Sequence, residues 1–299
     1  MPDLVQRMSY YEDRIKNLFN LPTLPIIATE LIRVAREDRL SINQILPIIE
    51  KDPPLAMKVL KFANSPFYGL REKVKSLHHA IVVIGLAQLT ELATAFSLIR
   101  ALEGETSELT LPWKQFWEHS VATGYMAQLI AEDLSVLTTE NLYSIGLLHD
   151  IGKLILYRVD PQNYYKAYLL SAEKRIPSEQ AEQEIFGFSH AEAGYWISER
   201  WELPQGIING IRFHHAPCQL SELRYRNVVA LINLADHLVN FRIARFGTNL
   251  LTLKEEGVEG WKIIKERYFP DDDNIYENFL ERTREQSPMI QEMAQLIRF

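Results

Sequence analysis

The chain has a single cysteine, Cys218, and no long apolar run. One thiol excludes an internal disulfide framework and a zinc site built from several thiolates, and it agrees with a reducing compartment. The longest apolar run, 80–87, is too short to cross a bilayer, and acidic residues occupy the N-terminus where a signal peptide has its apolar region. We therefore expect a soluble, cytoplasmic protein without membrane insertion.

Positive charge is also scarce. The sequence has 32 Lys and Arg against 39 Asp and Glu, which gives a formal net charge of −7. Because nucleic-acid binding depends on neutralising phosphates with basic side chains, this balance argues against nucleic acid as the main partner. The glycine-rich motifs of dinucleotide-binding and P-loop proteins are absent too. With 47% hydrophobic residues, the chain can nevertheless bury a sizeable core.

Helical patterns recur along the whole chain, and alternating strand patterns with hairpin turns are hard to find, so the sequence predicts an all-α fold. The segments 41–44 (SINQ) and 189–192 (SHAE) have the capping-box pattern of a helix start. Asp52 before two prolines predicts another start, and 64–69 (NSPFYG) predicts a stop.

An acidic, hydroxyl-rich stretch at 102–113 is the clearest linker candidate. It predicts an N-terminal helical part at 1–110 and a C-terminal helical part at 111–299. The acidic segment 270–276 lacks the complete calcium-binding loop, which favours a solvated loop. In the C-terminal part the periodicity predicts helices near 114–134, 140–158, 178–186, 190–202, 205–214 and 222–245, with a final pair after about 255.

The stretch GLLHDIGKLIL at 146–156 places three polar residues, His149, Asp150 and Lys153, in an otherwise apolar run. A buried carboxylate is costly unless a cation or hydrogen-bond donors compensate it. Two interpretations remain open on these residues alone. Asp150 either forms a buried ion pair with Lys153, beside a hydrogen-bonded histidine, or binds a metal ion.

Other histidines and a second acid in an apolar run bear on this choice. Neutral imidazoles and carboxylates are expected ligands for iron, manganese, zinc or nickel, and one carboxylate can bridge two ions. Each histidine taken singly is more often a structural or surface residue than a ligand. The candidates that could share a site with His149 and Asp150 are His119, His190, His214, His215 and Asp236.

The remaining candidates have weaker claims. His78 and His79 precede an apolar helix with no acid nearby, which favours a helix-start or packing role. His237 follows Asp236 but points about 100° away around a helix, so we expect it at the surface or behind the site. Cys218 has no recognisable nucleophile context and is expected to pack, as are the aromatic residues within 113–117.

Several motifs in a fixed order resemble those of the HDOD proteins, a bacterial signalling family related to the HD metal-dependent phosphohydrolases. The resemblance covers roughly residues 20–218, and the tail after about 245 lies outside it. The matching segments are LPTLP (21–25), DPPLAMKVLKFANSPFYG (52–69), SLHHAIVVIGL (76–86), FWEHS (116–120), LLHDIGK (147–153), EIFGFSHAEAG (184–194), WELP (201–204) and HHAP (214–217).

The resemblance implies a helical bundle of HD-domain type with an additional N-terminal helical subdomain. It implies that Asp150 bridges metal ions and that Lys153 faces a substrate phosphate, which makes these two the candidate catalytic residues. The metal-binding pattern of HD phosphohydrolases, H…HD…D, and three further histidines of the related HD-GYP phosphodiesterases then correspond to His119, His149, Asp150, Asp236, His190, His214 and His215.

Two departures from these relatives shape the functional expectation. After His215 the chain continues APCQLSEL rather than with the segment that names the HD-GYP enzymes, which argues against activity on cyclic dimeric GMP. Gln115 stands where some three-metal relatives have glutamate, which favours two metal ions.

Two functions from different classes follow from the resemblance. The first is a regulatory protein of signal transduction that keeps a metal site and has a protein partner or a nucleotide or phosphoester ligand. The alternative is a metal-dependent phosphohydrolase or phosphodiesterase acting on a nucleotide or another phosphoester.

Overall fold

The computed structural model describes residues 4–18, 26–36, 40–102, 111–136, 138–242, 257–269 and 275–297. Within these ranges the regular elements are α-helices and short 3-10 turns, which confirms the all-α prediction. The helices of the first third of the chain are α1 (Leu4–Leu18), α2 (Ile26–Ala35), α3 (Ile42–Glu50), α4 (Pro53–Ala63), α5 (Leu77–Ile84) and α6 (Leu86–Leu102).

The helices that follow include those that carry the candidate site. They are α7 (Trp113–Asp133), α8 (Leu142–Leu148), α9 (Ile151–Val159), α10 (Pro161–Lys174), α11 (Ser178–Phe186), α12 (His190–Arg200), α13 (Gln205–Phe213), α14 (Leu223–Arg242), α15 (Glu259–Tyr268), α16 (Ile275–Glu285) and α17 (Ser287–Ile297).

The helices form two compact units. Unit 1 contains α1 and α7–α16, and unit 2 contains α2–α6 together with α17 from Pro288 onward. Three sequence features, the family motif 21–25, most of the proposed linker 102–113 and most of the acidic segment 270–276, lie outside the described residues.

The predicted helix boundaries at capping residues are confirmed. The backbone N–H of Ser41 donates to Gln44 Oε1 at 3.1 Å, and that of Ser189 donates to Glu192 Oε2 at 2.8 Å, so both capping boxes form. Asp52 accepts the N–H of Leu55 and starts α4. These bonds satisfy amide groups that the first helical turn leaves without an intrahelical partner.

The apolar block 80–102 forms parts of α5 and α6, and most of α6 is buried. Gly85, between the two helices, adopts a φ of 91°, which favours glycine. Among the described residues, no single helix has the length and apolar composition needed to cross a membrane. Helices α5 and α6 pass that test only as a pair, with a 112° bend between them.

Three predictions in the C-terminal part need correction. The segment 140–158 is not one helix, because α8 ends at Leu148 and α9 begins at Ile151, with a turn between them. Helix α10 occupies a stretch for which no helix is predicted. The last described part of the chain forms three helices, α15, α16 and α17, rather than a pair.

Close helix approaches within unit 1 position the elements of the site. Helix α9 packs on α12, and a Cβ atom at Gly152 would collide with the backbone carbonyl oxygen of His190. Gly152 therefore permits the close approach of α9 to the first turn of α12. Helices α7 and α8 meet in the same way at Gly124 and Gly146, where added Cβ atoms would strike the facing backbone.

Candidate metal centre

Seven predicted ligand side chains come from separate segments and converge in unit 1. His119 lies on α7, His149 and Asp150 form the turn between α8 and α9, and His190 is the first residue of α12. The remaining three are His214 and His215, which follow α13, and Asp236 on α14.

The break between α8 and α9 sets the direction of the two central side chains. Asp150 takes a φ of −95° and a ψ of 8°, outside the regular helical range, and it precedes the first turn of α9 without capping it through its side chain. Both residues are buried. The carboxylate of Asp150 is therefore left for the neighbouring side chains.

One cluster, which we call the His119 group, consists of His119, His149 and Asp236. The Nε2 atoms of His119 and His149 lie 3.3 Å apart, and His119 Nε2 lies 3.0 Å from Asp236 Oδ1. Asp150 presents its Oδ2 to both imidazoles, at 3.6 Å from His119 and 3.5 Å from His149.

A second cluster, the His190 group, consists of His190, His214 and His215. His190 Nε2 lies 3.2 Å from His214 Nε2 and 3.0 Å from His215 Nε2. Asp150 presents its other oxygen here, because Oδ1 lies 3.1 Å from His190 Nε2 and 3.6 Å from His214 Nε2.

The carboxylate of Asp150 thus lies between the two groups. Its buried Oδ1 accepts no hydrogen bond among the described residues, although such atoms normally have a partner. The donor atoms of Asp150, His190, His214 and His215 all lie within 4.8 Å of one another, and so do those of His119, His149 and Asp150. Nitrogen and oxygen atoms this close, with an unsatisfied buried oxygen among them, fit a pair of cations that share one carboxylate.

Hydrogen bonds on the far side of two rings orient them toward the site. His149 Nδ1 lies 2.6 Å from Gly146 O, and His214 Nδ1 lies 2.8 Å from Ile211 O. Because a carbonyl oxygen only accepts, each Nδ1 must donate a proton, which leaves Nε2 with a lone pair when the ring is neutral. This arrangement is typical of histidines that bind metals through Nε2.

Lys153 contacts the same carboxylate, since its Nζ donates to Asp150 Oδ2 at 2.6 Å. The ion pair considered as an alternative to a metal site therefore exists. It occupies Oδ2 only and leaves the unsatisfied Oδ1 on the opposite side. Both interpretations of Asp150 are thus compatible within one arrangement. That Lys153 faces a substrate phosphate stays a prediction.

The electrostatics of the site keep the two aspartates ionised. Burial raises the pKa of Asp150, but Lys153 and the imidazoles outweigh burial and hold that pKa well below its ordinary value. Burial likewise raises the pKa of Asp236, and hydrogen bonds from His119 and His149 lower it well below its ordinary value. Burial lowers the pKa of His214 to about 4, which keeps this ring neutral near pH 7.

Two carboxylates on α11, Glu182 and Glu179, also reach the site, and the sequence motifs do not indicate either. Glu182 is 1% exposed, and its Oε2 accepts the backbone N–H of His190 at 2.7 Å and lies 2.6 Å from His190 Nδ1. Glu179 Oε2 lies 3.9 Å from His215 Nε2. Acidic residues on a short helix usually face solvent, so burial of Glu182 becomes visible only in the folded structure.

Three side chains of the site are partly exposed to solvent. The side chains of His215 and Glu179 are 26% and 29% exposed, and that of Asp236 is 12% exposed. The side chains of the other five ligand candidates are at most 2% exposed. A ligand would therefore approach beside His215.

The weaker candidates lie outside both groups. His78 and His79 are exposed at the start of α5, where Ser76 accepts the N–H of His79, so their predicted helix-start role is confirmed. His237 faces the Tyr276 ring at 6.3 Å. The prediction that Cys218 packs is wrong, since it is exposed in a short 3-10 turn. In the aromatic segment 113–117, Phe116 and Trp117 are buried as predicted.

Two protein sequences give partial matches. The chain is 28% identical to an uncharacterized protein of Treponema pallidum (strain Nichols) over 232 residues, which is 77% of this chain and 43% of the relative. It is 30% identical to Ribonuclease Y of Aquifex aeolicus (strain VF5) over 159 residues, which is 50% of this chain and 22% of the relative. The chain thus spans less than half the length of either protein.

Solved structures share the fold. An HDOD domain protein of Geobacter sulfurreducens aligns over 99% of this chain and 98% of its own, with a TM-score of 0.75 and 24% identity. A protein of Shewanella amazonensis SB2B, provisionally described as a metal-dependent phosphohydrolase, aligns over 100% of both chains, with a TM-score of 0.64 and 19% identity.

A family model agrees with these structural matches. The HDOD domain model matches residues 21–217, a range that contains six of the seven predicted ligands and leaves out Asp236. The chain therefore belongs to the HDOD domain family.

Proposed function

We propose that this chain is a regulatory HDOD protein of bacterial signal transduction that binds two divalent metal ions. The observation that carries the proposal is the position of Asp150, whose two carboxylate oxygens each face a separate group of ligand side chains. A single ion pair with Lys153 would need only one of these oxygens.

The residues present suit divalent metals. Imidazole nitrogens and carboxylate oxygens without thiolates favour iron, manganese, zinc or nickel over soft ions. The His119 group and Asp150 Oδ2 would hold one ion, and the His190 group and Asp150 Oδ1 the other. Ions bound in this way lower the pKa of coordinated water and polarise phosphoryl oxygens.

Burial favours regulation as the main role. Five of the seven ligand side chains are at most 2% exposed, so bound ions would be largely shielded from solvent. The partly exposed His215 is where a ligand such as a nucleotide, or a segment of a protein partner, would contact the site.

A metal-dependent phosphohydrolase is the second candidate, and the complete H…HD…D pattern with a buried lysine favours it. Lys153 would orient Asp150 and neutralise charge that develops on a phosphoryl group. The similarity to a ribonuclease makes an RNA phosphodiester one substrate to test, although the net charge of −7 disfavours nucleic acid as the main ligand. The HD-GYP substrate, cyclic dimeric GMP, is not expected to be cleaved.

Metal analysis of the purified protein tests the proposal directly. After reconstitution with iron, manganese or zinc, we expect about two ions per chain in the wild type and near none in Asp150→Asn. Asp236→Asn should lose about one ion, because Asp236 faces only the His119 group. His237→Gln is the matched control, since it alters the adjacent residue outside both groups and should keep both ions.

Metal analysis and turnover assays together distinguish regulation, phosphoester hydrolysis and a metal-free ion pair. Metal without turnover of mono-, di- or cyclic nucleotides or an RNA oligonucleotide supports regulation. Turnover that disappears in Asp150→Asn supports the phosphohydrolase. A wild type that binds no metal after reconstitution would overturn the proposal, and the ion pair with Lys153 would then explain the buried carboxylate.

A further inference from the structure

Glu182 makes two short hydrogen bonds to one ligand candidate. Its Oε2 accepts the backbone N–H of His190 at 2.7 Å and lies 2.6 Å from Nδ1 of the same residue. The carboxylate is 1% exposed, and it fixes both the position of the His190 backbone and the rotation of the imidazole ring.

The ring orientation matters because it aims the other nitrogen. With Nδ1 bound to Glu182, Nε2 of His190 points at Asp150 Oδ1, His214 and His215, at distances of 3.0–3.2 Å. The corresponding Nδ1 atoms of His149 and His214 lie against backbone carbonyls. Among these three rings, His190 is therefore the one that a side-chain carboxylate orients.

The free-energy cost of burying the Glu182 carboxylate also suggests that the residue has a function. Its other oxygen, Oε1, has no hydrogen-bond partner among the described residues, and a buried charge without full compensation is unfavourable. Glu182 and Lys153 both line a small cavity that has room for about one water molecule. A purely structural contact could be made by a neutral side chain at lower cost, so the negative charge itself points to a function.

We infer that Glu182 is a positioning residue that controls metal occupancy of the His190 group and leaves the His119 group unaffected. This inference rests on the proposed function. A carboxylate behind a histidine ligand holds the ring in place and strengthens it as a donor, and removing such a partner typically weakens metal binding about 10- to 100-fold. When the metal concentration is low, Glu182 would thereby determine whether the protein binds one ion or two.

The test compares Glu182→Gln with Glu184→Gln in the full chain, with Mn²⁺ as the probe. Glutamine keeps the size of the side chain but removes its charge. Glu184 lies two residues along the same helix, is half exposed and pairs with Lys174 at the surface, so it is the matched control. We expect Glu182→Gln to keep one site at wild-type affinity and to weaken the other about 10- to 100-fold, with Glu184→Gln unchanged.

Electron paramagnetic resonance provides a readout that a change in stability alone would not produce. Two Mn²⁺ ions bridged by one carboxylate couple magnetically, so two equivalents of Mn²⁺ per chain should give a coupled-pair signal in the wild type and an isolated-ion signal in Glu182→Gln. Excess Mn²⁺ should restore the pair. If Glu182→Gln does not fold, Glu182→Asp, which withdraws the carboxylate by one methylene group, takes its place.

Several results would overturn the inference. If both sites of Glu182→Gln bind Mn²⁺ with wild-type affinity, the carboxylate has no such role. If the Mn²⁺ affinity of both sites falls equally, the carboxylate acts on the whole unit. These failures leave the proposed function intact, because the wild type still binds two ions. A wild type without metal would overturn the proposed function as well, and that result is visible before any variant is made.

Discussion

At the scale of single residues, the histidines of the His190 group differ in their pKa values. Burial lowers the pKa of His214 to about 4, and burial together with its neighbours lowers that of His215 well below its ordinary value. Burial acts in the same direction on His190, but the carboxylates of Glu182 and Asp150 outweigh it and raise the pKa to about 9. Neighbouring rings in one group thus carry different charges near pH 7 when metal is absent.

These shifts predict how acid affects the metal-free protein. Between pH 6.5 and about 4 the unfolded chain protonates His214, and the folded protein does not, so stability falls as pH falls. The lowered pKa values of Asp150 and Asp236 act in the same direction at lower pH. The contribution of His190 is present below pH 6.5 and is lost as pH rises through about 9.

Urea unfolding of chelator-treated protein at several pH values measures this dependence. In the window from pH 6.5 to about 4, His214→Gln should reduce the slope of the unfolding free energy by up to about 1.4 kcal/mol per pH unit. His79→Gln, which alters an exposed ring on α5, should leave the slope as in the wild type. An unchanged slope in His214→Gln would contradict the prediction.

At the scale of elements, two similar helix starts differ in one respect. Helices α3 and α12 both begin with a capping box, at Ser41 and Ser189. Helix α12 presents His190 in its first turn, and α3 carries no candidate ligand. The same substitution at the two serines therefore separates loss of a cap from loss of the site.

Replacing either serine with alanine should destabilise its helix by about 1 kcal/mol, because a side-chain cap is lost. Ser189→Ala should also weaken the metal bound by the His190 group, since the first turn of α12 would fray beside His190. Ser41→Ala should leave metal affinity unchanged. Thermal unfolding and Mn²⁺ titration of both variants check this expectation. Equal metal affinities in the two variants would show that the cap does not position His190.

The sequence predicts helix starts well where local chemistry decides them, as at Ser41, Asp52 and Ser189. It does not predict the break between α8 and α9, because the apolar residues of 140–158 continue the helical period through His149 and Asp150. The close contact between α9 and α12 at Gly152 becomes visible only in the folded structure. Short-range patterns carry no information about such contacts.

The residues of the candidate site also differ in whether local sequence patterns predict them. Its seven ligand candidates could be named from residue types and family motifs, and the structure brings them together. Glu182 could not be named from the sequence, because its contact with His190 depends on α11 lying against the start of α12. No spacing rule reveals that packing. The grouping of α1 with the C-terminal helices in unit 1 is a long-range contact of the same kind.

At the scale of the whole molecule, every ligand candidate lies in unit 1. Metal that binds the folded state alone stabilises it by mass action, by about 4 kcal/mol at a thousandfold excess over Kd. We therefore expect chelation to lower the unfolding temperature of unit 1 by several degrees. Differential scanning calorimetry with and without chelator measures this shift.

Asp150→Asn provides the control for this experiment. Without bound metal, its unfolding should not respond to the chelator. A wild-type transition that chelator leaves unchanged would contradict metal binding in unit 1. If the two units unfold separately, the transition of unit 2 should stay in place in both proteins, since α2–α6 carry none of the candidate ligands.

The exposed position of Cys218 has a practical consequence. It is the only thiol of the chain and lies three residues after His215, so the two Cα atoms are at most about 11 Å apart. Partial desolvation and the neighbouring carboxylate of Glu259 raise the pKa of this exposed thiol, so maleimide labelling would proceed slowly but at one position only. A fluorophore attached there would sit close to His215, a partly exposed ligand candidate. Quenching by a paramagnetic ion would then report metal entry in real time, without any engineered cysteine.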